Sequence, residues 1–150
     1  MTPTRLLDQL EIYMPAVVIK VLVVSAGGAI GSALRYGLSG LAYRLLGTSF
    51  PWGTLVVNVL GCFVIGLLWG LTERFPIRPA TTLFLFGGVL GAFTTFSTYG
   101  LESINLLRDG EVVRCAVNVL ASNVVGISVV YVGFVVASLV FSTFGSGGQP

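Results

Sequence analysis

Four stretches of this 150-residue chain, residues 16–41, 52–71, 82–107 and 112–141, are each long and apolar enough to cross a bilayer. A hydrocarbon core of about 30 Å takes roughly twenty helical residues, and a backbone in lipid must satisfy its own polar groups, which a helix does. Composition points the same way. The chain is 55% hydrophobic and 9% charged, with a mean hydropathy of +0.95, whereas a soluble domain carries about a quarter charged residues. The expected fold is therefore an all-α integral membrane protein with four transmembrane helices in one compact bundle.

The connections are short. Residues 42–51 join the first two spans, residues 72–81 hold Pro76 and Pro79, and Arg108-Asp109-Gly110-Glu111 forms a polar corner with a glycine helix stop. Residues 1–15 read either as a short interfacial helix, with Leu6, Leu10, Tyr13 and Met14 on one face, or as a tail. The membrane-spanning unit is 16–141, and residues 142–150 read as a disordered tail. Lys20 and the acidic Asp8 and Glu11 argue against a cleavable signal. If both termini share a side, Arg5, Lys20, Arg74 and Arg78 face Arg44, Arg108 and Arg114 across the membrane. Four against three is a weak bias under the positive-inside rule, so insertion in both orientations is expected.

A net charge of +2 without a basic patch suggests neither nucleic acid nor a strongly acidic partner. Membrane lipid is the surrounding medium. The absence of histidine removes the commonest general base and metal ligand. Cys62 and Cys115 lack metal-type spacing and read as packing residues. An enzyme is not expected.

Polar residues inside the spans carry what chemistry there is. Residues 87–99 run Gly-Gly-Val-Leu-Gly-Ala-Phe-Thr-Thr-Phe-Ser-Thr-Tyr. Flexible Gly91 is followed by Thr94 and Thr95, whose hydroxyls can bond the backbone and relax the helical ladder. A third helix broken at mid-bilayer would expose backbone groups of the kind transporters use for ions. Phe93, Phe96 and Tyr99 recur at i+3, as core or as ring edges that weakly attract an anion. In the second span Thr54, Asn58 and Gly61 share a face. Asn58 there is an interhelical hydrogen bond or an N–H donor to a permeating anion. Arg35 is a snorkelling anchor or an electropositive vestibule. Asn118 and Ser122 share a face of the fourth span, as polar track or packing seam. Gly27/Gly31, Gly66/Gly70 and Gly87/Gly91 offer faces for close helix contact, within one subunit or between two.

Taken together, Gly28-Ala29-Ile30-Gly31 leading to Arg35-Tyr36, then Trp52-Gly53-Thr54-Leu55-Val56-Val57-Asn58 with Gly61, then Gly91-Ala92-Phe93-Thr94-Thr95-Phe96-Ser97-Thr98, resemble the CrcB (Fluc) family of fluoride channels. The resemblance covers nearly the whole chain from the first span onward. It implies an antiparallel, dual-topology homodimer with two pores, passive fluoride export across the cell membrane, and a structural sodium ion at the dimer centre. Carried over, the sodium ligands are the backbone carbonyls of Gly91 and Thr94. Asn58 is the pore amide and Phe96 the first of the family's two phenylalanines. The second falls at Tyr99, a departure that adds a hydroxyl. Arg35 and Glu102 resemble vestibule residues, and Ser122 a hydroxyl of the fourth-span track. A further track position is Gly126 here, where that contact is missing.

On this reading fluoride sheds water as Asn58, Thr54, Thr98, Ser122 and the ring edges of Phe96 and Tyr99 replace it. Two competing classes remain. A proton-coupled exporter of cations needs a carboxylate deep in the first span, and residues 16–41 hold none. A structural subunit would use its polar span residues only as glue.

Overall fold

The computed structural model describes residues 3–145, with side chains described from Met14 to Ser142. Four helical spans result: Met14–Leu46, Trp52–Thr72, Pro79–Arg108 and Val112–Ser142. The first is the membrane part of a single helix, α1 (Pro3–Leu46), and the second is α2 (Trp52–Thr72). The third is composite, with α3 (Pro79–Thr82), a π-helical stretch Leu83–Leu90, α4 (Gly91–Phe93) and α5 (Phe96–Arg108). The fourth comprises α6 (Val112–Leu120), a π-helical stretch Ala121–Val125 and α7 (Gly126–Gly145).

The expected span limits differ from these at the ends. The first helix continues past residue 41 to Leu46, which places Tyr43 on a helix rather than in a loop. It stops at Gly47, whose φ of 85° lies in the left-handed region and whose N–H returns to the Tyr43 carbonyl at 3.0 Å. The helical backbone includes residues 3–15, although the face proposed for Leu6, Leu10 and Tyr13 lies outside the described side chains. Residues 142–145 are likewise helical, and the rest of the expected tail, 146–150, lies outside the described residues. The polar corner behaves as its sequence suggests. Gly110 has φ 78°, its N–H reaches the Leu107 carbonyl at 3.1 Å, and the Glu111 N–H reaches the Leu106 carbonyl at 2.8 Å, the two bonds of a Schellman stop.

Glycines set the packing, and they do so within the subunit. A Cβ at Gly27 would lie 2.6 Å from the Phe84 carbonyl oxygen, and one at Gly88 would lie 2.9 Å from the Gly27 Cα. Gly31 abuts the Val89 carbonyl in the same way. The π-helical stretch Leu83–Leu90 is thus laid backbone to backbone on α1. On the other side of the bundle α2 meets α7, with Gly66 against the Val130 carbonyl, Gly133 against the Phe63 carbonyl, and Gly70 facing the Ala137 Cβ. Close backbone approach of this kind maximises dispersion where lipid removes any hydrophobic drive between helices. Gly27, Gly31, Gly66 and Gly70 therefore serve intrachain contacts. Gly91 has only its own Phe86 carbonyl nearby, at 3.5 Å.

Large aliphatic side chains such as Leu22, Leu45, Val113 and Ile127 face outward, as a lipid-facing surface requires. The largest fully buried side chains among the described residues are Val57 and Asn118, at 0% and 1% exposure. Asn118 donates to Ser103 Oγ at 3.0 Å, and Ser103 donates to the Tyr99 carbonyl at 2.8 Å, which ties α6 to α5. Of the two uses its position allowed, Asn118 fills the packing seam.

Candidate ion path

The third span breaks where its threonines sit. Thr94 (φ −84°, ψ 158°) and Thr95 (φ −150°, ψ 115°) are extended, between α4 and α5. Thr94 Oγ1 bonds back to the Leu90 carbonyl at 3.1 Å, and the Thr95 side chain caps α5 by accepting from the Thr98 N–H at 3.3 Å. The Thr94 N–H still reaches the Leu90 carbonyl at 3.1 Å, and the ladder ends one residue later, where the Thr95 hydroxyl takes the Thr98 N–H, as short polar side chains can.

One face of α2 holds the break in place. Thr54 donates to Glu102 Oε1 at 2.9 Å. Asn58 accepts from the Thr95 N–H at 2.8 Å and donates to the Thr95 carbonyl at 3.0 Å. Gly61, without a side chain, admits the Thr94 methyl and the Phe93 ring. Positions 54, 58 and 61 fall on one helical face, and they meet 102, 95 and 94 in the reverse order, as antiparallel neighbours must. Asn58 is thus an interhelical clamp. Its Nδ2 carries two protons and one goes to Thr95, so the clamp still leaves a donor.

The clamp has a consequence for the two carbonyls singled out for sodium. In an unbroken helix the Gly91 carbonyl would accept from the Thr95 N–H and the Thr94 carbonyl from the Thr98 N–H. Those donors go instead to Asn58 Oδ1 and Thr95 Oγ1. Both oxygens therefore keep the lone pairs a hard cation takes, which fits backbone ligation. Among the described residues no group of three or more His, Cys, Asp or Glu side chains is gathered as an alternative.

Cavities lie on either side of the clamp. One, of about 330 Å³, is lined by Asn58, Thr94, Thr95, Phe96, Tyr99 and Ser122 among others, with Gly91 and Cys62 at its wall. The Phe96 ring is 81% exposed, and it lies 5.3 Å from the Tyr99 ring, centroid to centroid. A second, of about 370 Å³, is lined by Arg35, Ser39, Thr54, Thr95 and Thr98. Thr95 borders both. The site residues read from sequence are therefore split: Asn58, Phe96, Tyr99 and Ser122 share one cavity, while Thr54, Thr98 and Arg35 share the other.

Glu102 stands apart from Arg35. It lines a third cavity, of about 170 Å³, with Tyr43, Thr48, Ser49 and Asp109. Tyr43 and Thr54 both donate to its Oε1, each at 2.9 Å, whereas its buried Oε2 has no hydrogen-bond partner among the described residues. Gly53 makes room for this arrangement, since a Cβ there would strike the Tyr43 ring. Two functional candidates lie outside the residues that the sequence singles out. One is Tyr43, which the sequence puts in the 42–51 connection; the other is Asn123, next to Ser122, which lines the Phe96 cavity and donates to the Tyr99 hydroxyl at 3.2 Å. A second amide in an apolar span was the available signal for Asn123.

Comparison with known proteins places this architecture. Residues 22–134 match the family model described as CrcB-like protein, Camphor Resistance. A protein of Parabacteroides distasonis named fluoride-specific ion channel FluC is 46% identical over 117 residues, 78% of this chain and 91% of the relative. One of Shewanella amazonensis with the same name is 48% identical over 75% of this chain and 91% of its own length. A third, from Salinibacter ruber and also so named, is 47% identical over 77% of this chain and 86% of its own length. Four membrane spans, the broken third helix and matches of this extent make the chain a multi-pass cell-membrane protein that belongs to the CrcB family.

Proposed function

We propose that the chain is a passive fluoride-selective channel that exports fluoride from the cell and so protects it. The observation that carries this reading is the clamped break: an uncharged cavity, bounded by the Asn58 amide, Ser122 and the rings of Phe96 and Tyr99, opens beside two extended residues at mid-span. Such a lining offers an anion oriented dipoles and electropositive ring edges without a full positive charge. Attraction of that strength lets an ion enter and also leave. Arg35, on the far side of Thr95, supplies the electropositive approach.

The working unit is an antiparallel, dual-topology homodimer. The near-even distribution of Lys and Arg supports insertion both ways, and an isologous pair is the simplest closed assembly. The exposed Phe96 ring and the open Gly91 backbone support this reading, since both leave surface that a second copy could cover. A sodium ion held by the Gly91 and Thr94 carbonyls of both copies would neutralise four carbonyl dipoles at the dimer centre and lock the two breaks together.

Reconstitution into liposomes with a fluoride electrode tests the reading. Fluoride efflux down its own gradient, with no proton gradient applied and with chloride excluded, supports it. A flux that needs a proton gradient points to coupled transport, and no flux at all ends the proposal.

A further inference from the structure

The Tyr99 hydroxyl has one protein partner among the described residues, and the chemistry of that partner decides which way the hydroxyl works. Asn123 Nδ2 lies 2.8 Å from the Val119 carbonyl oxygen and 3.2 Å from the Tyr99 hydroxyl. A carbonyl can only accept, so the end of the Asn123 amide facing Val119 must be the NH2 group. That group has two protons and no acceptor capacity. One proton goes to Val119 and the other to Tyr99, so the Tyr99 oxygen accepts and its own proton is left without a protein acceptor.

We propose that Asn123 is a positioning residue for the anion path, holding the Tyr99 hydroxyl as a hydrogen-bond donor to fluoride in the cavity beside Phe96. The proposal rests on the fluoride-channel reading and adds a specificity determinant to it. Tyr99 and Asn123 both line that cavity with Ser122 and the remaining Asn58 donor, and the Tyr99 ring is packed against Phe96 at 5.3 Å. The interaction is a neutral phenol donating to the ion, O–H···F⁻, with no proton transfer. Charge-assisted bonds of this type shorten with small, hard acceptors, so the site favours fluoride over larger halides. An Asn that has given both amide protons away cannot compete with the ion for the tyrosine proton.

The test is the concentration dependence of fluoride efflux from liposomes, measured on the full-length protein. Tyr99→Phe removes the donor and raises the half-saturating fluoride concentration about tenfold, the effect of losing one hydrogen bond to a charged group, while flux at saturation persists. Asn123→Leu frees the hydroxyl to turn and raises it by roughly threefold. In the Tyr99→Phe background the same Asn123→Leu change has no further effect, because there is no hydroxyl left to orient. Asn123→Ser, which can still bond the Val119 carbonyl, is the second variant should the leucine prevent folding. An equal loss from Asn123→Leu in both backgrounds would mean a merely structural role and overturn the proposal. So would an unchanged half-saturation in Tyr99→Phe. Either result leaves the channel reading standing if the parent protein conducts, whereas a parent that passes no fluoride overturns both.

Discussion

Asn58 and Thr95 exchange two hydrogen bonds, Thr95 N–H to Oδ1 at 2.8 Å and Nδ2 to the Thr95 carbonyl at 3.0 Å, so a side chain of the second span substitutes for the helical ladder of the third. Asn58→Ala removes both partners at once and leaves a backbone donor and acceptor bare in an apolar setting. The expected cost is about 1–3 kcal/mol for each orphaned group, read as a lower melting temperature in detergent, together with a fluoride flux reduced at least tenfold. Asn58→Asp separates the two roles. It retains the acceptor for the Thr95 N–H but turns a carboxylate oxygen toward the Thr95 carbonyl and puts negative charge on the anion path. Flux should vanish even where the folded protein is recovered.

The break was legible in the sequence because its cause is local. Gly91 precedes two threonines, and the Thr94 back-bond to Leu90 and the Thr95 cap are interactions those side chains make within a few residues of themselves. The face of Thr54, Asn58 and Gly61 was legible for the same reason, since helical spacing alone aligns them. What sequence could not supply was the far partner of each. Glu102 resembles a vestibule residue in the sequence, but the Tyr43 and Thr54 hydroxyls that bond its carboxylate, and its place in a cavity other than that of Arg35, come only with the fold. The wide turns at Leu83–Leu90 and Ala121–Val125 have no local signature. The first of them lies backbone to backbone on Gly27 and Gly31, a contact defined by two helices.

Those glycine contacts make a graded prediction. Gly66→Ala drives a methyl into the Val130 carbonyl, a backbone atom that cannot swing aside. Overpacking of this sort costs about 1–3 kcal/mol, and the variant should lose folded protein in size-exclusion chromatography. Gly37 has open space around its Cβ direction, so Gly37→Ala gains helix propensity, up to about 1 kcal/mol. Equal behaviour of the two variants would contradict the packing described.

Glu102 offers a second pair. Glu102→Gln keeps an oxygen able to accept from Tyr43 and Thr54, and it places the amide NH2 where Oε2 now has no partner. Glu102→Ala strands both hydroxyls. The alanine variant should be the less stable by about 1–3 kcal/mol, and thermal denaturation in detergent ranks the two.

The proposed sodium site predicts a response that side-chain mutagenesis cannot abolish. Its ligands are the Gly91 and Thr94 carbonyls, freed because the Thr95 and Thr98 N–H groups are turned elsewhere. Replacing sodium by N-methylglucamine throughout purification should lower dimer stability and flux together, and returning sodium should restore both. Thr94→Ala keeps its carbonyl and should keep the sodium response. Asn58→Ala is the informative contrast, because without the clamp nothing from the second span fixes the extended Thr94–Thr95 backbone that presents the two carbonyls. In that variant the sodium response should weaken even though no ligand has been mutated, and a response as strong as that of the parent would mean the carbonyls do not hold the ion.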